Sequence, residues 1–104
     1  MADLAQDKWK EQLSKDHNAQ ILDVRTDEEV EDGIIPEALC IDIYLGQDFI
    51  DQIENLDKSK NYYIYCRSGG RSAQACAIMN QLGFENTYNL LGGFDDWEGE
   101  TTCD

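Results

Sequence analysis

The most informative stretch of the chain is Tyr62-Tyr63-Ile64-Tyr65-Cys66-Arg67-Ser68-Gly69-Gly70-Arg71-Ser72. Its first four residues are aromatic or β-branched, and these residue types favour β-strands. The glycines after Cys66 indicate a turn, and the segment 72–82, which ends just before Gly83, has the character of a helix. The stretch therefore predicts a strand, a cysteine-led glycine loop and a helix, in that order.

Further strands and helices are predicted to alternate on both sides of this stretch. We expect strands at 21–24, 39–43 and 87–90, and helices at 3–14, 47–56 and 94–97. A short acidic helix through Glu31 is predicted after Thr26, where Glu29 completes a capping box. Strands that alternate with helices are typical of an α/β fold, in which a mostly parallel sheet is covered on both faces. We expect one domain over residues 1–104.

The charge of the chain limits its partners. The 8 Lys and Arg residues are outnumbered by 22 Asp and Glu residues, which gives a net charge of −14 at pH 7. Because phosphate backbones and anionic lipids are repelled by such a surface, we expect no nucleic-acid partner and no membrane partner. The acidic residues serve either as a solubilising surface or as a face that docks a basic protein.

Four cysteines are present, at positions 40, 66, 76 and 103. They form neither a CxxC pair nor a zinc-type spacing with histidine, so no metal site is expected. Cys40 and Cys76 stand among apolar residues, which favours buried thiols in a reducing compartment. With no apolar segment of membrane-spanning length and no secretory signal at the start, these features predict a cytoplasmic protein, which we expect to be monomeric.

The loop that begins at Cys66 is the candidate catalytic site. A glycine-rich loop entering a helix directs successive backbone N–H groups into one concave nest, and the helix N-terminus adds about half a positive charge. Two nearby arginines add cations, and such surroundings lower a cysteine pKa from about 8.5 to roughly 3.5–7.5. We therefore predict that Cys66 attacks a sulfane sulfur as a thiolate and carries the sulfur as a persulfide. The predicted substrate-binding residues are the rest of the loop: Arg67, Ser68, Gly69, Gly70, Arg71 and Ser72.

The loop length distinguishes this site from a related one. Cysteine-dependent phosphatases use the spacing Cys-x5-Arg, whereas Cys66 and Arg71 are spaced as Cys-x4-Arg. A shorter loop makes a tighter nest, which suits one sulfur atom better than a tetrahedral phosphate. The spacing therefore argues against a phosphatase.

Four segments, in this order, resemble the motifs of the rhodanese family. They are Asp23-Val24-Arg25 with the acidic residues after it, Gly33-Ile34-Ile35-Pro36-Glu37-Ala38, the loop from Tyr65 to Ser72, and Leu91-Gly92-Gly93-Phe94 through Trp97. The resemblance covers nearly the whole chain. Two positions differ from the usual motif, because Ile34 replaces a histidine and Glu37 replaces a glycine.

The resemblance implies a fold and an activity. The fold is a three-layer α/β/α sandwich with a mostly parallel sheet of roughly five strands. The activity is that of a thiosulfate sulfurtransferase, which moves sulfane sulfur from a donor such as thiosulfate to cyanide, a thiol or a protein through a persulfide on Cys66. No cofactor is implied. The alternative is a weakly active rhodanese-like module that binds a protein or carries sulfur.

Overall fold

The computed structural model describes residues 2–103 and contains one five-stranded sheet. Its strands are β1 (Ala2–Leu4), β2 (Ala19–Asp23), β3 (Leu39–Cys40), β4 (Asn61–Tyr65) and β5 (Thr87–Leu90). The spatial order is β1-β5-β4-β2-β3, and each of these neighbouring pairs is parallel. The central strand is β4, so the segment that follows it leaves the middle of the carboxyl edge. The predicted parallel sheet is confirmed.

Helices cover both faces of the sheet. They are α1 (Gln6–Ser14), α2 (Asp27–Val30), α3 (Gln47–Glu54) and α4 (Gly70–Gln81), with 3-10 turns at Ile43–Leu45 and Phe94–Asp96. Successive side chains of β4 point to opposite faces of the sheet and contribute to two apolar clusters. Tyr62 and Ile64 pack against α3 and α4, while Tyr63 and Tyr65 pack on the side of α1. Within residues 2–103, no helix has both the length and the apolar character needed to cross a membrane.

The beginning of the chain differs from the prediction. A helix was expected over 3–14, but β1 occupies the first residues and α1 starts only at Gln6. Ala5 between them is extended, with φ −64° and ψ 156°. The pairing of β1 with β5 joins residues more than 80 positions apart, as in Leu4 with Leu90, so a local periodicity does not reveal it.

The edge strand β3 also differs from the prediction. It spans two residues rather than five, since Ile43–Leu45 forms a 3-10 turn. Cys40, expected to be buried, is exposed, because β3 pairs only with β2 in the sheet and leaves the other side of the strand open. Cys76, by contrast, is fully buried, as expected.

Candidate active site

Cys66 follows the central strand directly and lies beneath its loop. The residue exposes 1% of its surface, and its side chain belongs to the apolar cluster on the side of α3 and α4. Gly69, the N-cap of α4, has φ +108°, a left-handed conformation that L side chains rarely adopt. This turn brings the loop back over the sulfur and starts α4 at Gly70, two residues before the predicted start.

Hydrogen bonds converge on the sulfur of Cys66. The Gly69 N–H donates to Sγ at 3.1 Å, and the Ser72 Oγ lies 3.3 Å from Sγ. Burial by itself would raise the pKa of the Cys66 thiol, but it is outweighed by hydrogen bonds from the Ser72 hydroxyl and from the backbone N–H groups of Ser72, Gly69 and Ser68. The pKa is therefore lowered, mainly by hydrogen bonds from the loop. Arg71 also attracts the thiolate, since Cys66 is one of the groups that raise the pKa of Arg71.

A buried polar network extends from Ser72 away from the sulfur. The Ser72 Oγ lies 2.5 Å from the Oδ1 of Asn89 and 3.2 Å from the carbonyl oxygen of Gly69. The Asn89 amide nitrogen donates to the Oδ1 of Asp3 at 3.0 Å and to the same Gly69 carbonyl at 3.2 Å. Sequence reasoning did not identify Asn89, because the parallel pairing of β5 with β4 places it beside the loop and nothing local in the sequence indicates that pairing.

Both loop arginines are paired with carboxylates. Arg71 forms two hydrogen bonds to Glu29, at 2.7 and 2.8 Å, and Arg67 lies 3.3 Å from Asp95. The paired guanidinium holds the pKa of Glu29 at about 2, and the carboxylate in turn raises the pKa of Arg71. Glu29 also completes the predicted capping box of α2 with Thr26. The structure therefore places both arginines at the loop, each with its charge matched by a neighbour.

The segment after β5 supports the loop from the other side. The N–H of Phe94 donates to the carbonyl oxygen of Cys66 at 2.8 Å, and the N–H of Asp95 donates to that of Arg67 at 2.9 Å. These bonds require a close approach at Gly93, where φ is +56° and a Cβ would stand 2.6 Å from the Arg67 carbonyl. The Gly92-Gly93 motif thus positions the backbone of the loop that begins at Cys66.

Two departures from the family motif have identifiable settings. Ile34 is buried and exchanges two backbone hydrogen bonds with Thr102, at 2.7 and 2.9 Å. Glu37 has φ +71°, and it is the one non-glycine residue among 2–103 with a positive φ. A glycine is therefore the residue that this backbone position would favour, which explains the usual motif.

Asp23, at the end of β2, and Arg25, two residues later, form a buried ion pair. The Arg25 guanidinium lies 2.8 Å from the Asp23 carboxylate and donates to the carbonyl oxygen of Gly33 at the same distance. Its Cζ lies 4.3 Å from the ring centroid of Phe94. This pair connects the end of β2 to the segment that supports the loop.

Comparison with known proteins identifies the class. The family model of the rhodanese-like domain matches residues 6–100. The chain belongs to the rhodanese-like domain family. A solved rhodanese-like domain protein from Staphylococcus aureus matches with a TM-score of 0.81 and 34% identity, over 96% of this chain and 94% of that one.

Sequence relatives support sulfur transfer as the class of reaction. The chain is 45% identical to YtwF of Bacillus subtilis over 92 residues, which are 88% of this chain and 85% of that protein. It is 36% identical to a sulfurtransferase of Allochromatium vinosum over 87 residues, 84% and 78% of the two chains. It is 31% identical to the thiosulfate sulfurtransferase GlpE of Coxiella burnetii, with the same coverage.

Proposed function

We propose that the protein is a thiosulfate sulfurtransferase of the rhodanese type that carries sulfur as a persulfide on Cys66. The observation that carries this proposal is the convergence of N–H and O–H donors on the Cys66 sulfur, which lowers its pKa in a buried position. The name of the Coxiella burnetii relative supports thiosulfate as a donor. Ser68, Gly69, Gly70 and Ser72 would then supply the persulfide site, with Arg67 and Arg71 at its rim.

The proposed reaction has two displacement steps. The Cys66 thiolate attacks the outer sulfur of thiosulfate, the sulfur–sulfur bond of the donor breaks, and sulfite leaves with the bonding electron pair. An acceptor thiolate or cyanide then attacks the outer sulfur of the persulfide, and the Cys66 thiolate is released. In the first step the negative charge passes from Sγ to the outer sulfur of the persulfide, and in the second step it returns to Sγ. The hydrogen bonds to Sγ therefore raise the thiolate fraction that is available for the first step and stabilise the Cys66 thiolate as the leaving group of the second.

Intact mass spectrometry tests this proposal. Incubation with thiosulfate is expected to add one sulfur atom to the protein, and cyanide is expected to remove it. Cys66→Ser should abolish the addition, whereas Cys103→Ser, a matched change at an exposed cysteine, should leave it intact. A cyanide-labile sulfur on the Cys66→Ser variant would assign the carrier to another cysteine and overturn the proposal.

Steady-state turnover with thiosulfate and cyanide separates an enzyme from a sulfur carrier. An enzyme reloads and releases sulfur over many turnovers when thiosulfate and cyanide are both present. A carrier module loads Cys66 once and turns over only with a protein partner. Turnover that depends on Cys66 supports the proposed function.

A further inference from the structure

The arginines of the protein are all placed near one edge of the sheet, and each is matched by a carboxylate. Arg25 follows β2, Arg67 follows β4, and Arg71 lies in the first turn of α4. Their partners are Asp23, Asp95 and Glu29, at 2.8, 3.3 and 2.7 Å. Within residues 2–103, no arginine beside the loop therefore offers an unmatched charge to an incoming anion.

Further exposed carboxylates lie on the two segments that contact the loop, namely α2, through the pair of Glu29 with Arg71, and the Phe94–Asp96 turn, through its backbone hydrogen bonds. We use the term acidic collar for the exposed carboxylates of α2, of the turn after it and of the Phe94–Asp96 turn: Asp27, Glu28, Glu31, Asp32, Asp95 and Asp96. Of these, Asp95 is the partner of Arg67. Asp32 and Asp95 line a cleft of about 220 Å³ beside the loop, together with Glu29, Arg67 and Phe94. Lys58 and Lys60, which precede β4, lie toward the opposite, amino edge of the sheet.

Exposed apolar side chains also lie beside the loop. Tyr44 is 69% exposed, and the Arg71 Cζ lies 5.4 Å from its ring centroid. Leu91 is 47% exposed, and its Cα lies about 4 Å from the position of a Cβ at Gly69. Uncovered aromatic and aliphatic side chains that share a surface with charged groups are typical of protein-binding surfaces.

From these observations we infer that the physiological sulfur acceptor is a cysteine thiol on a basic protein surface, which the acidic collar recruits to Cys66. This inference rests on the proposed persulfide. The acceptor thiolate and the Cys66 persulfide are both anions, and the collar adds negative charge, so small anions, the donor thiosulfate included, approach Cys66 against repulsion. Cationic side chains around the acceptor thiol reverse the sign of this interaction.

The transfer step balances without a further reactant. The acceptor thiol loses its proton to solvent, and its thiolate attacks the outer sulfur of the Cys66 persulfide. The bond between that sulfur and Sγ breaks, a new sulfur–sulfur bond forms on the acceptor, and Cys66 returns as a thiolate. The acceptor leaves as a persulfide.

Single-turnover transfer between the loaded protein and two peptides tests the inference. The probes are one cysteine peptide flanked by lysines and the same peptide flanked by glutamates, at low salt and at about 0.3 M salt. We expect the lysine peptide to react at least about tenfold faster at low salt, a factor within the range of electrostatic steering, and the ratio to fall at high salt. Equal, salt-independent rates would overturn the inference.

Variants in which carboxylates are replaced by uncharged amides separate the effect of the collar from the intrinsic reactivity of the peptides. The collar variant carries Glu28→Gln, Glu31→Gln and Asp32→Asn. Its control carries Glu11→Gln, Glu54→Gln and Glu85→Gln, three exposed carboxylates on α1, at the end of α3 and before β5. Both variants change the net charge equally. We expect the collar variant to reduce the rate ratio at least about threefold and the control to leave it unchanged. An equal effect of both variants would assign the preference to net charge alone and overturn the inference.

Sulfur loading of Cys66 distinguishes failure of the proposed function from failure of the inference about the acceptor. If thiosulfate adds no sulfur to Cys66, the proposed function fails, and the inference fails with it. If Cys66 loads but the collar variant behaves like its control, only the inference fails. As a second measurement, Asp95→Asn frees Arg67 and is expected to raise kcat/KM for thiosulfate about threefold, the size typical of exposed ion pairs. An unchanged kcat/KM would contradict the claim that Asp95 neutralises the charge that Arg67 would otherwise offer to thiosulfate.

Discussion

Replacing Ser72 with alanine measures how much one hydroxyl contributes to the thiolate. The Ser72 hydroxyl has one proton and three acceptors within reach, since Oγ lies 3.3 Å from the Cys66 Sγ, 2.5 Å from the Asn89 Oδ1 and 3.2 Å from the Gly69 carbonyl oxygen. When Cys66 is a neutral thiol, the short distance to Asn89 favours donation to the amide oxygen. When Cys66 is ionised, donation to the anion is the stronger bond.

The expected shift follows from the difference between these two bonds. A hydrogen bond to a charged group contributes about 1.5–3 kcal/mol, and the neutral bond to Asn89 that must be given up contributes about 1 kcal/mol. The net stabilisation of the thiolate is then roughly 1–1.5 kcal/mol, or about one pKa unit. We expect Ser72→Ala to raise the pKa of Cys66 by about that amount, while the backbone N–H donors from Gly69 and Ser68 still hold it below the value of a buried, unsupported thiol.

The assay is a pH titration of thiolate absorbance, in which the spectrum of Cys66→Ser is subtracted to remove the other three cysteines. Ser68→Ala is the matched control, because Ser68 contributes a backbone N–H that the substitution retains and its side chain is exposed. Below the pKa of Cys66, sulfur loading by Ser72→Ala should be slower by up to about tenfold, and above both pKa values the two proteins should react alike. A pKa within about 0.3 of the parent value, roughly 0.4 kcal/mol, would refute the role of the hydroxyl.

Three further predictions concern the surroundings of the loop. Glu29→Gln retains the capping oxygen but loses the charge that pairs with Arg71. The folded-state pKa of Glu29 is about 2 against an ordinary 4.5, a difference that corresponds to about 3.4 kcal/mol. Because the neutral amide still accepts a hydrogen bond of about 1 kcal/mol from Arg71, the substitution should lower the free energy of unfolding by about 2 kcal/mol at pH 7, and this loss should disappear as the pH falls from about 4.5 to 2 in urea titrations. Gly93→Ala places a Cβ 2.6 Å from the backbone of Cys66 and Arg67 and should slow sulfur loading at least about tenfold, and a normal rate would show that the loop tolerates displacement. Glu37→Gly removes a side chain at φ +71° and should raise the free energy of unfolding by up to about 1 kcal/mol, and a lower thermal midpoint would contradict this strain.

Local patterns predicted much of the fold because β4, α4 and β5 have strong local signals. The predicted strand at 87–90 has the bounds of β5, and the capping box at Thr26 is formed by both of its hydrogen bonds. The errors fall where pairing across the sheet decides the structure. Ala2–Leu4 forms its strand by pairing with the distant β5, and Cys40 is exposed on the edge strand β3.

In the candidate site, too, the features with local sequence signals were predicted and those that depend on distant segments were not. The cysteine, the glycine turn and the helix start are consecutive in the sequence, so they predict the nest directly. The partners of the loop come from distant segments: Asn89 from β5, Glu29 from α2 and Asp95 from the turn after β5. In the sequence, Arg67 and Arg71 are two cations near Cys66, and nothing local indicates that each of them pairs with a carboxylate.

Because the arginines are paired, two electrostatic functions act over different distances: stabilisation of the Cys66 thiolate acts at contact distance, and attraction of a basic acceptor acts over a longer range. The net charge of −14 disfavours an anion at Cys66, so its stabilisation depends mainly on N–H and O–H dipoles within about 3.3 Å of Sγ, to which Arg71 adds a coulombic attraction. Dipoles at such contact distances in a buried site are little affected by salt, whereas charges exposed on the collar are screened beyond about 8–10 Å. The pKa of Cys66 should therefore change little between low and high salt, while the preference for a basic acceptor should weaken. Titrating the thiolate and measuring peptide transfer over one series of salt concentrations would test both statements, and a parallel salt dependence of the two quantities would show that the same charges control both.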